Sequence, residues 1–440
     1  MQLAITKQAG AGLREQGPDD QSLLARFRPV FGKIAAGALE REETGRRPVE
    51  EVRWLKDAGF TAVRVPIEFG GGGATLRQLH LLLIELAAAD SNLSHALRVH
   101  FRFTEGHWAR RAEPHSANWL RRIAAGTVIA AGSAERTGEH GKPATTLTKD
   151  KGRYFVTGKK FYTTGSLYAD YLSVTGTTEA GEVATLLVRT DAPGVEVIDD
   201  WSGIGQRSSS SGTVVFNNAP VEAEEVSPPA PISGSRYAHV QLSHLATAAG
   251  IVRRAADDIT DFVRARHRTY KQASAAIPAE DPLVQAVVGR ADAAAYALKA
   301  IVLQVAESLD EVSAANLYLK SAPGTEPEDA ALRASLTERV PGLEHQAGLN
   351  AYRAQTVALD LALKTTSDIF EVGGSSAVDR HKHLDRHWRN VRTLASHNPL
   401  IYRHRHLGEY QLNGSVPSFF AQSDSEAVVP IGDGEALLGV

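Results

Sequence analysis

The stretch GRYFVTGKKFYTTG, residues 152–165, decides the fold that we predict for this chain of 440 residues. Its β-branched and aromatic residues lie between glycines that suit turns, which is typical of short strands. Similar stretches occur at 127–135, 168–178, 184–199 and 212–222. Because Gly, Asn, Asp and Pro turns separate them, this region predicts a small β-barrel or sandwich.

The regions on both sides of the β-rich stretch have the periodicity of helices. Residues 1–126 predict an N-terminal all-α domain, and residues 127–232 hold the central β domain. Residues 233–440 predict a C-terminal four-helix bundle followed by a weakly patterned tail after Gly414. Within that bundle, residues 321–341 are interpreted as a loop or irregular insertion. The predicted fold class is therefore α+β, in three parts.

The composition is unusual in its sulfur content. The chain contains no Cys, and its only Met is Met1. One interpretation is that the protein is made under sulfur starvation, and another is tolerance of peroxide, since Cys and Met are readily oxidised. Drift in a GC-rich genome is the alternative. The absence of Cys also excludes disulfides and thiolate metal sites.

Charge and hydropathy exclude several classes of function. The 48 Lys and Arg residues nearly balance the 51 Asp and Glu residues, so a nucleic-acid partner is not expected. The N-terminus has no apolar segment of a secretory signal. The longest apolar stretch, LLLIELAAA at residues 81–89, is too short to span a bilayer. We therefore expect a cytoplasmic protein that does not enter a membrane.

Four segments carry a resemblance to a known family. They are Gly158–Gly165, Gly205–Thr213, Asp368–Gly374 and Arg389–Arg392. In this order they resemble the flavin-contacting strand, a later loop, the Gly-Gly turn near a neighbouring subunit's flavin, and the R-D-A-R signature of the acyl-CoA dehydrogenases. The resemblance covers residues 20–415 and implies that family's fold, with a helical N-terminal domain, a central β-barrel and a four-helix bundle.

The chain differs from the dehydrogenases at their catalytic base. They carry a catalytic Glu a few residues after the R-D-A-R signature, and the aligned position here is Asn398. No carboxylate lies between Arg392 and Glu409. Because an amide cannot act as a general base, this difference argues against dehydrogenation.

Three other features resemble the reduced-flavin-dependent monooxygenases of this fold. These features are Ser396–Pro399, His100 and the segment Phe161–Asp170, and they are most similar to the dibenzothiophene and dimethylsulfone-type monooxygenases. The resemblance implies a homotetramer and a separate NAD(P)H-flavin reductase that supplies FMNH2. It further implies that O2 forms a flavin C4a-hydroperoxide, which oxygenates a small apolar substrate of the sulfur-containing class. That substrate class agrees with the missing sulfur residues.

The same resemblance implies roles for individual residues. His100 and His397 are the predicted catalytic residues, which would hold and protonate the peroxide. The predicted cofactor-binding residues are Ser133, Thr163, Thr164, Ser166, Trp201, Arg266, Arg268, Gly373 and Gly374. The predicted substrate-binding residues are Phe101, Phe103 and Asn398.

Each assignment has a structural alternative. The histidines can be hydrogen-bonded core residues, the hydroxyls can cap a turn, and the arginines suit the end of a helix. His381, His383 and His387 form a cluster that we do not interpret as a metal site. The rival functions are a FAD-dependent acyl-CoA dehydrogenase with a displaced base, an N-hydroxylating flavin monooxygenase and a catalytically silent flavin-fold protein.

Overall fold

The computed structural model describes residues 18–136, 143–229, 233–321, 323–324 and 326–415. The predicted C-terminal tail lies outside the described residues from 416 onward, and so do three linker residues, 230–232. No helix in the described part combines the length and the apolar character that a membrane span requires.

The N-terminal region is helical, as the periodicity predicted. Its helices are α1 (Asp20–Ala36), α2 (Ala38–Thr44), α3 (Val49–Asp57), α4 (Leu76–Ala89), α5 (Ser91–Ala96), α6 (Arg98–Trp108) and α7 (Pro114–Ala124). Local capping sets two of the starts. The Asp19 carboxylate accepts hydrogen bonds from two backbone N–H groups of α1, and Thr75 and Gln78 form a capping box on α4.

The central region forms one eight-stranded sheet. Its strands are β1 (Ile129–Gly132), β2 (Thr146–Asp150), β3 (Arg153–Lys160), β4 (Tyr171–Thr178), β5 (Val183–Arg189), β6 (Val195–Ile198), β7 (Thr213–Val221) and β8 (Val226–Ser227). They lie in the order β6-β7-β3-β2-β4-β5-β8, with β1 parallel to β4. The predicted β stretches are confirmed. Among the described residues the sheet is open, with β6 and β8 at its edges, and is not a closed barrel.

The C-terminal region is a helical bundle. It consists of α8 (Gly234–Arg264), α9 (Pro282–Lys320), α10 (Pro327–Asp368), α11 (Asp385–Ala395) and α12 (Leu400–Asn413). The three long helices pack against one another, and the two short helices pack on α10 in the place of a fourth. Helix α4 also packs on α8 and α9, which extends the core from the bundle into the N-terminal domain.

The prediction of a loop over residues 321–341 is wrong for most of that range. Helix α10 begins at Pro327, where proline at the first helical position costs no hydrogen bond, and it continues through Pro341. Leu336 and Val340 bury their side chains in a small cluster with Ala315 of α9. The charged and Ala-rich sequence between two prolines hid this buried face.

Three domains meet at one buried hydroxyl, that of Ser91 at the start of α5. Ser91 Oγ accepts hydrogen bonds from Gln206 Nε2 at 3.1 Å and from Asn390 Nδ2 at 3.2 Å. Asn390 Oδ1 in turn accepts from the Gln206 backbone N–H at 2.6 Å. Gly205 comes so near α11 that a Cβ there would lie 2.2 Å from the Arg389 carbonyl oxygen. This junction joins α5, the loop before β7 and α11.

The turn after β3 lies against the N-terminal helices. Gly165 has φ +87°, and a Cβ at this position would lie 2.5 Å from the Ala96 carbonyl oxygen. Its backbone N–H donates to the Ser209 carbonyl oxygen at 2.9 Å. Glycine is therefore needed both for the left-handed conformation and for the close contact with the end of α5.

We predict that Gly165→Ala destabilises the protein more than Gly152→Ala does. Both glycines have left-handed backbone, with φ +87° and +83°, so each substitution costs about 1 kcal/mol in strain. A Cβ at position 152 has nothing within 4 Å, whereas one at 165 displaces the Ala96 carbonyl. That displacement adds about 1–3 kcal/mol to the loss.

Urea unfolding of the two variants measures this difference. Equal losses of unfolding free energy would contradict the close contact between the turn and α5.

Candidate functional site

Three imidazole rings from three separate elements lie together in the interior. His95 is in the last turn of α5, His244 is in the middle of α8, and His397 follows α11. The ring centroids are 5.3 Å apart for His95 and His244, and 4.3 Å apart for His244 and His397. A hydrogen bond of 3.0 Å between the Ser94 and Thr247 hydroxyls joins α5 to α8 beside these rings. We call these three residues the histidine cluster.

The histidine cluster has unsatisfied polar atoms. His95 Nδ1, His244 Nε2 and His397 Nδ1 are buried and have no hydrogen-bond partner. The same holds for Nδ2 of the neighbouring Asn398, which is 5% exposed. Buried polar atoms are almost always paired, so a group of unpaired ones in one place indicates a site for a bound molecule.

Burial keeps these rings neutral at physiological pH. Desolvation is the main cause that lowers the pKa of His397 to about 3, and nearby arginines lower it further. The pKa values of His95 and His244 are held well below the usual range for the same main reason, with a contribution from Arg98. A neutral imidazole donates from one nitrogen and accepts at the other. Because His244 Nδ1 bonds the Val240 carbonyl oxygen at 3.1 Å, its Nε2 is an acceptor.

His100 does not join the histidine cluster. Its Nε2 donates to the Thr61 carbonyl oxygen at 2.7 Å, and its Nδ1 accepts from the Ile129 backbone N–H at 3.4 Å. The ring therefore links α6 to β1 and has no free nitrogen. His95, which we did not select from the sequence, lies beside His244, which in turn lies beside His397. The catalytic role of His100 stays a prediction.

The three predicted hydroxyls after β3 are tied to the serine-rich loop that precedes β7. Thr163 Oγ1 donates to the Gly212 carbonyl oxygen at 2.9 Å, and the Ser166 and Ser210 hydroxyls bond at 3.1 Å. The third predicted hydroxyl, that of Thr164, is tied to the same loop. Ser133 directly follows β1 and lies in this neighbourhood, since a Cβ on Gly132 would approach Thr163.

The donor directions in this loop leave Thr164 as an acceptor. Ser209 Oγ donates its proton to the Gln206 carbonyl oxygen at 2.7 Å. Ser211 must then donate to Ser209 at 2.8 Å, and Thr164 must donate to Ser211 at 3.0 Å. Each hydroxyl has a single proton, so Thr164 Oγ1 retains only lone pairs for a ligand.

Trp201 lies at the surface side of this loop. Its Nε1 donates to the Gln206 carbonyl oxygen at 2.9 Å, and its ring stands edge-on to Tyr162 with centroids 6.1 Å apart. The Tyr162 side chain is 44% exposed. Its backbone φ of +59° is unusual for a bulky residue. The two rings present an aromatic surface next to the Thr163–Ser166 turn.

Arg266 and the Gly-Gly turn come together at the end of α8. Arg266 Nη1 donates to the Val372 carbonyl oxygen at 2.7 Å, directly before Gly373 and Gly374. Gly374 has φ +50°, and a Cβ there would overlap the Tyr270 hydroxyl. Arg268 is exposed nearby in the chain. Within the described residues, no side-chain hydrogen bond or ion pair joins this group to the histidine cluster.

The predicted aromatic substrate residues have core contacts. Phe101 is 2% exposed and packs edge-on against Phe60 at 5.6 Å. Phe103 packs against Trp119 at 5.2 Å. The ring of Trp108, on the same helix, is covered by the Arg64 guanidinium at 4.3 Å. These contacts account for all three rings by packing, whereas Asn398 lies in the site.

His387, in the first turn of α11, belongs to an ion-pair network around Asp258. His387 Nε2 bonds the Asp258 carboxylate at 2.8 Å, and Arg386 and Arg254 bind the same carboxylate. These cations hold the pKa of Asp258 well below its usual range, in spite of its burial. Within the described part of the chain no group of three or more such side chains is arranged to hold a metal ion.

A sequence signal for His244 existed but was missed. Tyr237, Gln241 and His244 are spaced as one face of α8, and all three are buried among apolar neighbours. Polar residues on a buried helix face require partners, which singles them out. His95 had no comparable signal, because α5 is too short to show a periodicity.

We predict that acidification below pH 6.5 lowers the free energy of unfolding. His100 and His397 have folded pKa values of about 4 and about 3, below the unfolded value of about 6.5. The unfolded chain therefore binds protons that the folded chain does not. Stability is complete above pH 6.5, and each of these histidines removes about 2 kcal/mol between pH 7 and pH 5.

Urea unfolding at several pH values tests this prediction, with His397→Gln as the variant that reduces the slope. The exposed His404→Gln is the control, and it should keep the slope of the unsubstituted protein. A stability that does not change between pH 7 and pH 5 would rule out the buried neutral state.

Comparison with known proteins agrees with this architecture. Three consecutive models of acyl-CoA dehydrogenase domains match the chain: the N-terminal domain at 19–127, the middle domain at 131–219 and the C-terminal domain at 242–400. Dibenzothiophene monooxygenase of Rhodococcus qingshengii is 27% identical over 423 residues, which cover 92% of this chain and 96% of that protein.

Two further relatives point the same way. A probable FMNH2-dependent monooxygenase, SfnC of Pseudomonas putida, is 27% identical over 90% of this chain and 97% of its own. The structure of TdsC from Paenibacillus sp. A11-2 with FMN and indole superimposes with a TM-score of 0.77 and 25% identity, over 91% of this chain and all of that one. The comparison therefore supports FMN as the cofactor. This chain belongs to the acyl-CoA dehydrogenase fold family, among its flavin-dependent monooxygenases.

Proposed function

We propose that this protein is a two-component monooxygenase that uses FMNH2 and O2 to oxygenate a small, sulfur-containing compound. The observation that carries the proposal is the histidine cluster, in which three neutral rings have unpartnered nitrogens in a buried place. The ion pairs of histidine in the described residues involve His115, His381 and His387 and none of these three. A site rich in neutral donors and acceptors suits the control of an oxygen adduct.

The residues present fit a reduced flavin. Thr164 Oγ1 is left with only lone pairs, so it can accept a hydrogen bond from a ring N–H group. Gln206 Oε1 is also buried without a partner and offers a second acceptor. When bound, FMNH2 would supply the oxygen-activating chemistry as a C4a-hydroperoxide, the adduct that the family resemblance implies.

The chain's own part is to exclude water and to control one proton. His95 and His244 are 7% and 3% exposed, and His397 is partly buried with its Nδ1 covered. His244 Nδ1 donates to the Val240 carbonyl oxygen, so His244 Nε2 can only accept a hydrogen bond. A neighbouring ring or a bound molecule can therefore donate its proton to His244 Nε2. His397 Nδ1 and His95 Nδ1 are the atoms that remain to form hydrogen bonds with a bound molecule.

The same site does not favour an acyl-CoA dehydrogenase. A dehydrogenase needs a carboxylate base, and the position at which the family carries it is Asn398. The nearest buried carboxylate in the neighbouring helix α6 is Glu105, whose oxygens accept from Arg64 at 2.8 Å and Ser313 at 2.9 Å. A carboxylate held in this way is a poor proton acceptor, because its cation lowers the pKa.

Two partners belong to the proposal. A separate NAD(P)H-flavin reductase supplies FMNH2, which agrees with the printed description of SfnC as FMNH2-dependent. A homotetramer would place the surface of Arg266, Gly373 and Gly374 against a neighbouring copy. The absence of Cys and of internal Met agrees with a role in sulfur scavenging.

We predict that His397→Gln shortens the lifetime of the oxygen adduct by about tenfold or more, in line with the loss of one acid–base group. The measurement is anaerobic mixing of the protein with FMNH2, followed by stopped-flow exposure to O2. His100→Gln is the matched control. Because both of its nitrogens bond backbone groups, it should lower the melting temperature and leave the lifetime unchanged.

A shorter adduct lifetime in His100→Gln, with an unchanged lifetime in His397→Gln, would assign the catalytic role to His100 instead. Reoxidation of FMNH2 at the rate of free flavin in the unsubstituted protein would refute the monooxygenase itself.

A further inference from the structure

Two arginines of α6 extend from the histidine cluster without an ion partner. Arg98 is 5% exposed, and its Nε is buried without a hydrogen-bond partner. Arg102, one turn further along the helix, is partly buried, and its Nε is also unpartnered. Arg98 and Arg102 appear in none of the ion pairs or side-chain hydrogen bonds of the described residues, in contrast to the buried Arg41 and Arg64.

An unpaired guanidinium in the interior is expensive to keep. Burying a charge without a partner costs several kcal/mol, and natural proteins almost always pair such groups. The burial of Arg98 is so complete that desolvation lowers its pKa to about 10. An arginine that has no ion partner among the described residues is expected to gain its partner from a ligand.

The charge around the two arginines is positive. Glu105 is the carboxylate on the same helix, and it is already bound by Arg64 and Ser313. The pKa of Arg102 is lowered to about 9, mainly by desolvation and further by the charges of Arg236 and Arg98. On this helix, within the described part of the chain, Arg98 and Arg102 are therefore the charges that a bound anion would neutralise.

Arg98 and the histidine cluster occupy the same site. Arg98 follows His95 by three residues, so that the two side chains lie on neighbouring turns. Desolvation is the main cause that lowers the pKa of His95, His244 and His397, and the charge of Arg98 contributes to all three shifts. A ligand bound by Arg98 would therefore hold its reactive atom next to the imidazoles.

We propose that Arg98 and Arg102 bind the anionic group of the substrate, and that the substrate is a small organic oxyanion such as a sulfinate or sulfonate. A guanidinium binds such groups with two parallel N–H donors, which gives both affinity and orientation. The inference rests on the proposed function, because it assigns the substrate of that same site. It replaces the apolar substrate that the sequence alone predicted with a charged one.

The phosphate of FMN is the other anion to consider. A ribityl chain separates that phosphate from the reacting end of the flavin. Arg98 is within one helical turn of His95, so it belongs to the reacting end under the proposed function. The two assignments differ in a measurable way, since one affects the substrate and the other affects FMN.

The experiment is calorimetric titration of the purified protein, saturated with oxidised FMN, with sodium benzenesulfinate, sodium methanesulfinate and the neutral methyl phenyl sulfone. We expect the sulfinates to bind more tightly than the sulfone. Arg98→Gln should weaken sulfinate binding by about tenfold or more and leave the sulfone unchanged, with partial recovery in Arg98→Lys. Arg53→Gln, at an exposed arginine of α3, is the matched control and should change neither.

Several results would overturn the proposal. These are the absence of sulfinate binding, equal binding of sulfinate and sulfone, and a loss of FMN affinity in Arg98→Gln, as measured by flavin fluorescence. Because oxidised FMN is used and no turnover is needed, a failure here is separate from a failure of the stopped-flow test of the monooxygenase.

The melting temperature gives a second readout that does not depend on activity. Arg98→Met removes an unpaired buried charge, so without ligand the melting temperature should stay the same or rise. Addition of benzenesulfinate should raise the melting temperature of the unsubstituted protein but not of Arg98→Met. A clear fall in Arg98→Met without ligand would show that Arg98 has a structural partner, and this would contradict the proposal.

Discussion

The hydrogen bonds that meet at the Ser91 hydroxyl are the constraint on which the rest of the structure depends. Gln206 and Asn390 both donate to this one buried oxygen, so the middle and C-terminal domains are placed relative to the same turn of α5. His95 lies one turn beyond Ser91, and His397 follows Asn390 by seven residues. The hydrogen bonds to Ser91 therefore help to set the distance between the imidazole rings. Because hydrogen bonds are directional, they fix this distance more closely than apolar packing alone would.

The site also shows how stability is given up for chemistry. Elsewhere in the interior, ion pairs satisfy buried charges such as that of Arg41, which is paired with Glu51 and Asp90. Around the histidine cluster, by contrast, polar atoms of His95, Arg98, His397 and Asn398 have no partner. Each such atom costs on the order of 1–3 kcal/mol when no ligand satisfies it. These unpaired polar atoms lower the stability of the folded protein without a ligand. Their presence at one place therefore favours a ligand-binding role.

The serine-rich loop before β7 positions the turn after β3 through a chain of hydroxyl hydrogen bonds, which its composition alone does not predict. Its hydroxyls run from Thr164 through Ser211 and Ser209 to the Gln206 carbonyl, and this chain fixes the direction of every proton. Small side chains let the loop lie close to the turn after β3 while each one still contributes a hydrogen bond. The loop therefore connects the Thr163–Ser166 turn to the Ser91 junction.

The sequence by itself determined the three-part architecture and the family, because strand and helix periodicities and the spacing of local motifs are properties of short segments. It also singled out His397 and Asn398, since they replace the dehydrogenase base within a recognisable motif. The tertiary structure decided which residues accompany them. His100 bonds to backbone groups, whereas His95 and His244, distant in sequence, converge on His397. The pairing of Arg64 with Glu105, which leaves Arg98 and Arg102 without an ion partner, was likewise settled only by folding. Partner choice depends on how separate helices pack, and no local pattern encodes that packing.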